Sequence, residues 1–357
     1  MMKFLSILIL FVCFVPLRAS ANDGFAAEGV GGVTIAKTNK IAIKNEVLDV
    51  SCDRIHVSYD FVNESDHDED AVIMFPLPDY PASYPDSGCY AGEPADFTIT
   101  VDDKPVKFRT EVRALMGNID WIDGKRKLTH EVDVTNKLKA AGLSEKDIAY
   151  FRFNTEYIKE KNGGEDHWQY PIPKSKIQKL VIAGLMDGGD MGDTTPAWEN
   201  RVTYVWKQRF PAKKVVHIEH SYRPFTSGGA NAGYSEGYDA KKNEFCLSKK
   251  NIKTLNRLYK NQKNWDSYNN VPGTNIKYIL TTANSWKDGI RDFTLRIHPK
   301  SKSEVVSACI PAKITKVSDE LYLVHIENFH PKQELSVYFG NALSCNGDTS
   351  GVPPKIQ

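Results

Sequence analysis

The sequence has almost no excess of charge of one sign, no paired-cysteine motif and, beyond its first residues, no long apolar run. Lys and Arg number 46 against 45 Asp and Glu, a formal charge of +1. So balanced a chain projects no long-range field toward a polyanion, which argues against nucleic acid or an anionic membrane as partner. After residue 21 nothing approaches the roughly 20 apolar residues that cross a bilayer as a helix. The six cysteines include no Cys-x-x-Cys spacing, so that route to a redox or zinc site is closed. Internal repeats and low-complexity segments are missing too.

What is present begins with an export signal. Lys3 supplies a charged start, Phe4 to Val15 an apolar run too short to span, and Ala19-Ser20-Ala21 a small-x-small cleavage site. Cys13 lies inside the apolar run, not at the cleavage point where a lipid anchor would need it. The mature protein is expected to begin at Asn22, outside the cytoplasm, and losing Lys3 and Arg18 takes its formal charge from +1 to −1. Cys52, Cys89, Cys246, Cys309 and Cys345 then remain, and an oxidising compartment makes disulfides their default fate. The expected bridge joins Cys246, just before a helix, to Cys309 in an apolar strand. Cys52 with Cys89 is the second pair, with Cys345 left over.

Most of the chain reads as strand. In Arg54 to Asn63 the apolar residues Ile55, Val57, Tyr59 and Phe61 alternate, the mark of a half-buried strand. Ala71 to Phe75 follows after an acidic turn, and Asp102-Asp103-Lys104-Pro105 suits a hairpin between Phe97 to Val101 and Val106 to Val112. Helical spacing takes over near Glu131: Val134 to Ala141 stopped by Gly142, a short helix with Ser144 and Asp147 at capping spacing, and Ser175 to Met186. Strands resume at Arg201 to Phe210 and Val215 to Tyr222. Ser248 caps an amphipathic helix bearing Ile252, Leu255, Leu258 and Tyr259, and short strands then recur from Ile276 to Phe339.

The expected fold is mainly β with inserted helices (α+β), an antiparallel sandwich-like N-terminal part and a C-terminal β domain. Its divisions are 1–21 signal peptide, 22–130 N-terminal β region, 131–190 helical insertion, 191–226 a hairpin completing the N-terminal sheet, 227–346 loop, helix and C-terminal β domain, and 347–357 a tail. Asn22-Asp23-Gly24-Phe25-Ala26-Ala27, Gly31-Gly32, Phe75-Pro76-Leu77-Pro78, Trp286, Ile290 and Phe293, and Phe329-His330-Pro331 before Leu335-Ser336-Val337 resemble an exported bacterial family known as domain of unknown function 4424. The resemblance implies an extracytoplasmic protein of a Gram-negative bacterium. It supplies no established activity and therefore no catalytic residue.

Several motifs invite chemistry. Gly233-Tyr234-Ser235-Glu236-Gly237 has the G-x-S-x-G pattern of a hydrolase elbow, but neither a buried strand before it nor a helix after it supports that reading. His217 and Glu219 share one face of a strand and could meet one ion, while His220 points away; lacking a third ligand, they read as a polar outward face. His130-Glu131 starts like a zinc-protease motif, yet Val134 stands where its second His belongs. Asp66 to Asp70 and Asp187 to Asp193 lack the spacing of a calcium loop and read as solvated turns. Aromatics beside Gly or Pro, Trp198 among them, suggest exposed contact rings, and Tyr234 with Tyr238 is the pair expected to touch a partner from a mobile loop over Ser227 to Tyr238.

These features add up to an exported, noncatalytic binding or assembly protein, periplasmic or secreted, with no catalytic residue, metal or cofactor assigned. Its partner would be an envelope or host protein or a glycan. The alternative is an extracytoplasmic hydrolase or metal-dependent enzyme acting on envelope or host polymers.

Overall fold

The computed structural model describes residues 23–29, 32–77, 79–82, 97–122, 125–149, 151, 156–158, 167–169, 172–187, 195–224, 226–227, 233–235, 245–261 and 270–342. In chain order the first strands are β1 (Gly24–Gly29), β2 (Gly32–Ile35), β3 (Ile41–Ser51), β4 (Ile55–Asn63), β5 (Glu69–Pro76) and β6 (Tyr80–Pro81). Next come β7 (Thr98–Val101), β8 (Lys104–Pro105), β9 (Arg109–Ile122), β10 (Lys125–Asp133), then helices α1 (Thr135–Ala140) and α2 (Glu145–Ala149). Short β11 (Glu156–Ile158) and β12 (His167–Gln169), helix α3 (Lys174–Ile182), β13 (Met186–Asp187) and β14 (Thr195–Pro196) lead to the long β15 (Glu199–Phe210) and β16 (Val215–Tyr222). The C-terminal part holds β17 (Thr226–Ser227), α4 (Lys249–Asn261), β18 (Gly273–Tyr278), β19 (Lys287–His298), β20 (Val305–Ala308), β21 (Thr315–Lys316), β22 (Tyr322–Phe329) and β23 (Leu335–Gly340).

The fold is mainly β. One sheet runs β10-β9-β15-β5-β1-β2 with β6 added beside β15, a second runs β21-β22-β19-β3-β4-β16-β7-β8, and a smaller one runs β17-β18-β23-β20. Period-two alternation sorts the side chains. In β4, Ile55, Val57, Tyr59 and Phe61 are fully buried while His56, Ser58, Asp60 and Val62 face outward. The buried faces of the two large sheets meet: Phe61 of β4 lies 5.8 Å from Phe210 of β15, and Phe75 of β5 lies 5.4 Å from Tyr222 of β16. Each large apolar side chain so removed from water contributes about 1.5–3 kcal/mol, and one cluster runs through both sheets and into β18, β20 and β23.

Two expectations about connectivity change. Segment 191–226 is not a hairpin: β15 pairs with β5 and β9, and β16 pairs with β4 and β7. The reason lies in β15, where Val202 to Trp206 are all buried, so the strand takes a central place with both faces covered. The turn 211–214, closed by Lys214 N–H on the Pro211 carbonyl at 3.2 Å, carries the chain across to the other sheet. Segment 227–346 is divided: β18, β23 and β20 form a sheet of their own with β17, while β19 lies parallel to β3 and brings β22 and β21 into the N-terminal sheet. Likewise the hairpin at Asp102 and Asp103, both at positive φ, joins β7 only to the two-residue β8 before β9 leaves for the other sheet.

Helix ends follow local chemistry closely. Gly142, at φ +93°, ends α1, and the Ser144 and Asp147 side chains cap each other's backbone N–H at 3.1 and 2.8 Å to start α2. α3 is shorter than the expected Ser175 to Met186 because Gly184, at φ +68°, terminates it; Met186 passes into β13. Ser248 Oγ accepts from Asn251 N–H at 3.1 Å at the start of α4, whose Leu255 is fully buried. Cys246 and Cys309 are joined by a disulfide with Cα atoms 5.2 Å apart, tying the approach to α4 to the end of β20. Cys52 is disulfide-bonded as well; Cys89 and Cys345 lie outside the described residues.

Candidate functional site

The alternation that buries one face of the eight-stranded sheet sets out a polar array on the other. Register places Asp292, Asn45, Asp60 and His217 in one row across β19, β3, β4 and β16, and Arg296, Asp49, His56 and Ser221 in another. Four outward histidines each have a carboxylate neighbour. His217 Nδ1 lies 2.8 Å from Asp60, His298 Nε2 2.7 Å from Asp49, His325 Nδ1 3.6 Å from Asp292, and His56 Nε2 3.8 Å from Glu219. Among the described elements the helices pack elsewhere, α1 and α2 against β9, α3 against β13 and α4 against β20.

His217 is the most engaged of the four. Its Nε2 lies 3.2 Å from Glu219 and 3.4 Å from Ser58 Oγ, while Asn45 donates to the far oxygen of Asp60 at 2.7 Å. Partial burial works to lower the His217 pKa, but hydrogen bonds to Asp60 and Glu219 outweigh it and hold the imidazole above its ordinary value. Burial likewise works to raise Asp60, and the bonds from His217 and Asn45 overcome it, leaving its carboxyl below the usual range. Ser58, His217 and Asp60 are thus aligned in the order of a catalytic triad. Two features oppose that role: Glu219 competes with Ser58 for Nε2, and hydrogen bonds to two carboxylates favour the charged form of the ring over the neutral form a general base needs. Ser58 also sits mid-strand between β3 and β16, where its backbone N–H belongs to the ladder and cannot serve an oxyanion.

A second polar centre is sealed inside. Both oxygens of Asp23 lie 2.9 Å from His220 Nε2, and both side chains are completely buried. Tyr59, Phe75, Phe97 and Trp206 surround the imidazole at 5.3 to 5.8 Å, and no partner meets His220 Nδ1 among the described residues. Desolvation pushes the Asp23 carboxyl up against the opposing attraction of His220. Trp286 Nε1 donates to the Asp23 carbonyl at 2.6 Å, and Phe25 N–H to Ser285 Oγ at 2.9 Å. Nearby, the Tyr59 and Tyr278 hydroxyls lie 2.9 Å apart, and burial pushes both phenols well above their ordinary values. This centre fastens β1 to both sheets and offers no access to a substrate.

Four residues of the family resemblance meet at that centre, Asp23, Phe25, Phe75 and Trp286. The family model described as domain of unknown function (DUF4424) matches residues 21–338. The chain belongs to that family. Comparison with curated proteins returned no match. Among solved structures, this DUF4424 chain is similar to a candidate nutrient-binding protein from Legionella pneumophila, with 13% identity and TM-score 0.41 over 89% of this chain and 72% of that one. It is similar also to an M1 zinc metallopeptidase from Deinococcus radiodurans, with 8% identity and TM-score 0.20 over 86% of this chain and 43% of that one. Yeast LTA4 hydrolase stands at 9% identity and TM-score 0.24, over 85% of this chain and 29% of that one. The DUF4424 chain spans less than half the length of either of these two enzymes.

The remaining sequence candidates fall differently. Tyr234 is not an exposed contact ring: it is 3% exposed, packs with Phe245, Leu255 and Tyr338, and donates its hydroxyl to Asn256 at 3.0 Å. Its backbone exchanges hydrogen bonds with Val271, and a Cβ on Gly233 would stand 2.4 Å from Asn270, so glycine lets the chain press inward there. Tyr238 lies outside the described residues. Trp198 is also buried, with its indole N–H on Asn200 at 3.1 Å. The acidic turn 66–70 is spent on cations: Asp66 pairs with Lys213 at 2.9 Å and Asp68 with Arg209 at 2.7 Å. Glu131 pairs with Arg201 at 3.1 Å. Segment 188–193 lies outside the described residues. The sequence reading of His217 and Glu219 reached only one strand of the sheet face; the period-two polar set His56-x-Ser58-x-Asp60 and Asp292-x-Thr294-x-Arg296-x-His298 carried the rest of the signal.

Proposed function

We propose that this protein is exported and acts without catalysis, as a binding or assembly protein of the cell envelope whose contact surface is the outward face of the eight-stranded sheet. One observation carries the reading: the chemistry-bearing side chains are divided between a sealed centre and an open array in which each histidine is met by a carboxylate. An outward array on strands hydrogen-bonded to one another suits contact with a partner better than enclosure of a small substrate. The two large sheets facing each other serve as the frame, and the signal-like segment 1–21 supports export with a mature start at Asn22.

The test is photocrosslinking in the native envelope. A benzophenone amino acid at Thr294, outward on β19, should capture a defined partner, whereas one at the exposed Lys253 of α4 should not. Equal capture from both positions, or none at Thr294, would remove the face as the contact surface. The Ser58–His217–Asp60 alignment is the observation that favours the hydrolase alternative. Covalent labelling of Ser58 by a fluorophosphonate probe would establish that alternative and set the noncatalytic reading aside.

A further inference from the structure

The near-zero net charge of the chain hides one local concentration. Helix α4 carries Lys249, Lys250, Lys253, Arg257 and Lys260 and no acid. All five are exposed, and none makes an ion pair among the described residues. At about 100° per residue they fall within an arc of about 100°, a stripe about 17 Å long. Ile252, Leu255, Leu258 and Tyr259 occupy the other side, which packs with Tyr234, Phe245 and Tyr338. The strands beneath add no compensating acid, since β20 and β23 hold no charged residue. On the turn before β20, Glu304 is 6% exposed and accepts from the Lys300 backbone N–H at 3.2 Å, Lys300 pairs with Asp53 at 3.1 Å, and Lys302 is exposed. In sequence, the adjoining segments 236–244 and 262–269 bring Lys241, Lys242 and Lys263 against Glu236, Asp239, Glu244 and Asp266, which takes the local balance only from five positive charges to four.

Helix stability does not account for this arrangement. Lys249 and Lys250 stand in the first turn, where the macrodipole disfavours a cation, and Lys249 with Lys253 and Lys253 with Arg257 set like charges four residues apart. A face that needs only solvent mixes the two signs. The stripe includes no aromatic ring on which a base could stack, and the apolar side of the helix, which an interfacial helix would insert into lipid, is already committed to the core. We propose that α4 seats the protein on an anionic phospholipid bilayer through headgroup contacts alone. A plane of negative charge meets all five side chains at once, and each adds to the attraction within a Debye length of the surface. Only the envelope location is taken from the reading above; the sheet face is not involved. Lys253, facing headgroups, meets no protein, while Thr254, about 90° round the helix from the centre of the stripe, stays in water.

The test is flotation of the purified protein with vesicles at low ionic strength, one set of phosphatidylglycerol and phosphatidylcholine in equal parts and one of phosphatidylcholine alone. The protein should float with the anionic vesicles only, and added salt should release it. A Lys249→Gln, Lys253→Gln, Arg257→Gln, Lys260→Gln variant should bind them at least about a hundredfold more weakly, since each cation near the surface is worth about fivefold. The charge-preserving Lys249→Arg, Lys253→Arg, Arg257→Lys, Lys260→Arg variant should bind as the wild type does. Lys104→Gln, Lys107→Gln, Lys313→Gln, Lys332→Gln removes as many exposed cations elsewhere and should lose far less. Thermal unfolding of each variant separates loss of binding from loss of fold. No binding to anionic vesicles, equal binding to both sets, or an equal loss from the two glutamine variants would overturn the proposal. Tighter binding of a DNA duplex than of the anionic vesicles would also overturn it and give the stripe to nucleic acid. Capture from Thr294 is read separately, so failure here leaves the sheet face standing, and failure there leaves the stripe.

Discussion

At the scale of single residues, position relative to water decides what each titratable group contributes. The Asp23 and His220 side chains have surrendered all hydration and meet each other, so removing one leaves the other's polar atoms without that hydrogen-bond partner in an aromatic cage. Asp23→Ala should destabilise by about 3–5 kcal/mol in denaturant unfolding; a loss below about 1 kcal/mol would show that the pair is not what fastens β1. His217 behaves oppositely, because it gains partners at the surface. Its folded pKa is raised, so its contribution is fully present below the unfolded pKa and is lost as pH rises through the folded value. The stability gap between the wild type and His217→Gln should therefore be widest in mild acid and close toward alkaline pH. Glu64 is a third case: hydrogen bonds from Arg291 and Lys287 hold its carboxyl down at about 2, so what it contributes persists through neutrality and is lost only in strong acid.

At the scale of elements, local rules were legible in the sequence wherever short-range chemistry decides. The strands around Ile55 to Phe61 and Val215 to Tyr222, the caps at Ser144 and Ser248 and the stop at Gly142 all follow from periodicity and from side chains that satisfy backbone N–H groups. Pairing was not legible, because alternation states which face is buried and not which strand lies alongside. Thus β15 and β16 read as a hairpin and lie in opposite sheets, and β19 reads as C-terminal yet extends the sheet that contains β3. Tyr234 failed for a related reason: neighbouring glycines suggest exposure, but Gly233 serves to admit Asn270 at close range. Gly233→Ala should accordingly cost about 1–3 kcal/mol, since the added Cβ overpacks that contact. The Cys246–Cys309 bridge closes a span of 63 residues. Replacing both cysteines by Ala should cost about 4 kcal/mol in the chain-entropy model, with hydrogen exchange accelerating first in α4. Unchanged exchange there would mean that packing of Leu255, not the bridge, holds the helix.

At the scale of the whole molecule, two sheets share one core, and the same alternation that fills it leaves the opposite face of the larger sheet polar and open among the described residues. Of the candidate site, the sequence disclosed His217 and Glu219 as sharing a strand face. It could not disclose that His56, His298 and His325 join them, because that requires the register of non-neighbouring strands, with β3 and β19 more than 200 residues apart. The central claim is that this face meets a partner where the protein works, and cysteine footprinting tests it directly. Thr294→Cys and Ser58→Cys, on the face, and Thr254→Cys, on α4, are labelled with a polar maleimide in the native envelope and again after purification. The account predicts that labelling at 294 and 58 is suppressed in the envelope and restored on purification, while labelling at 254 is the same in both. Equal labelling of all three positions in both preparations would contradict it.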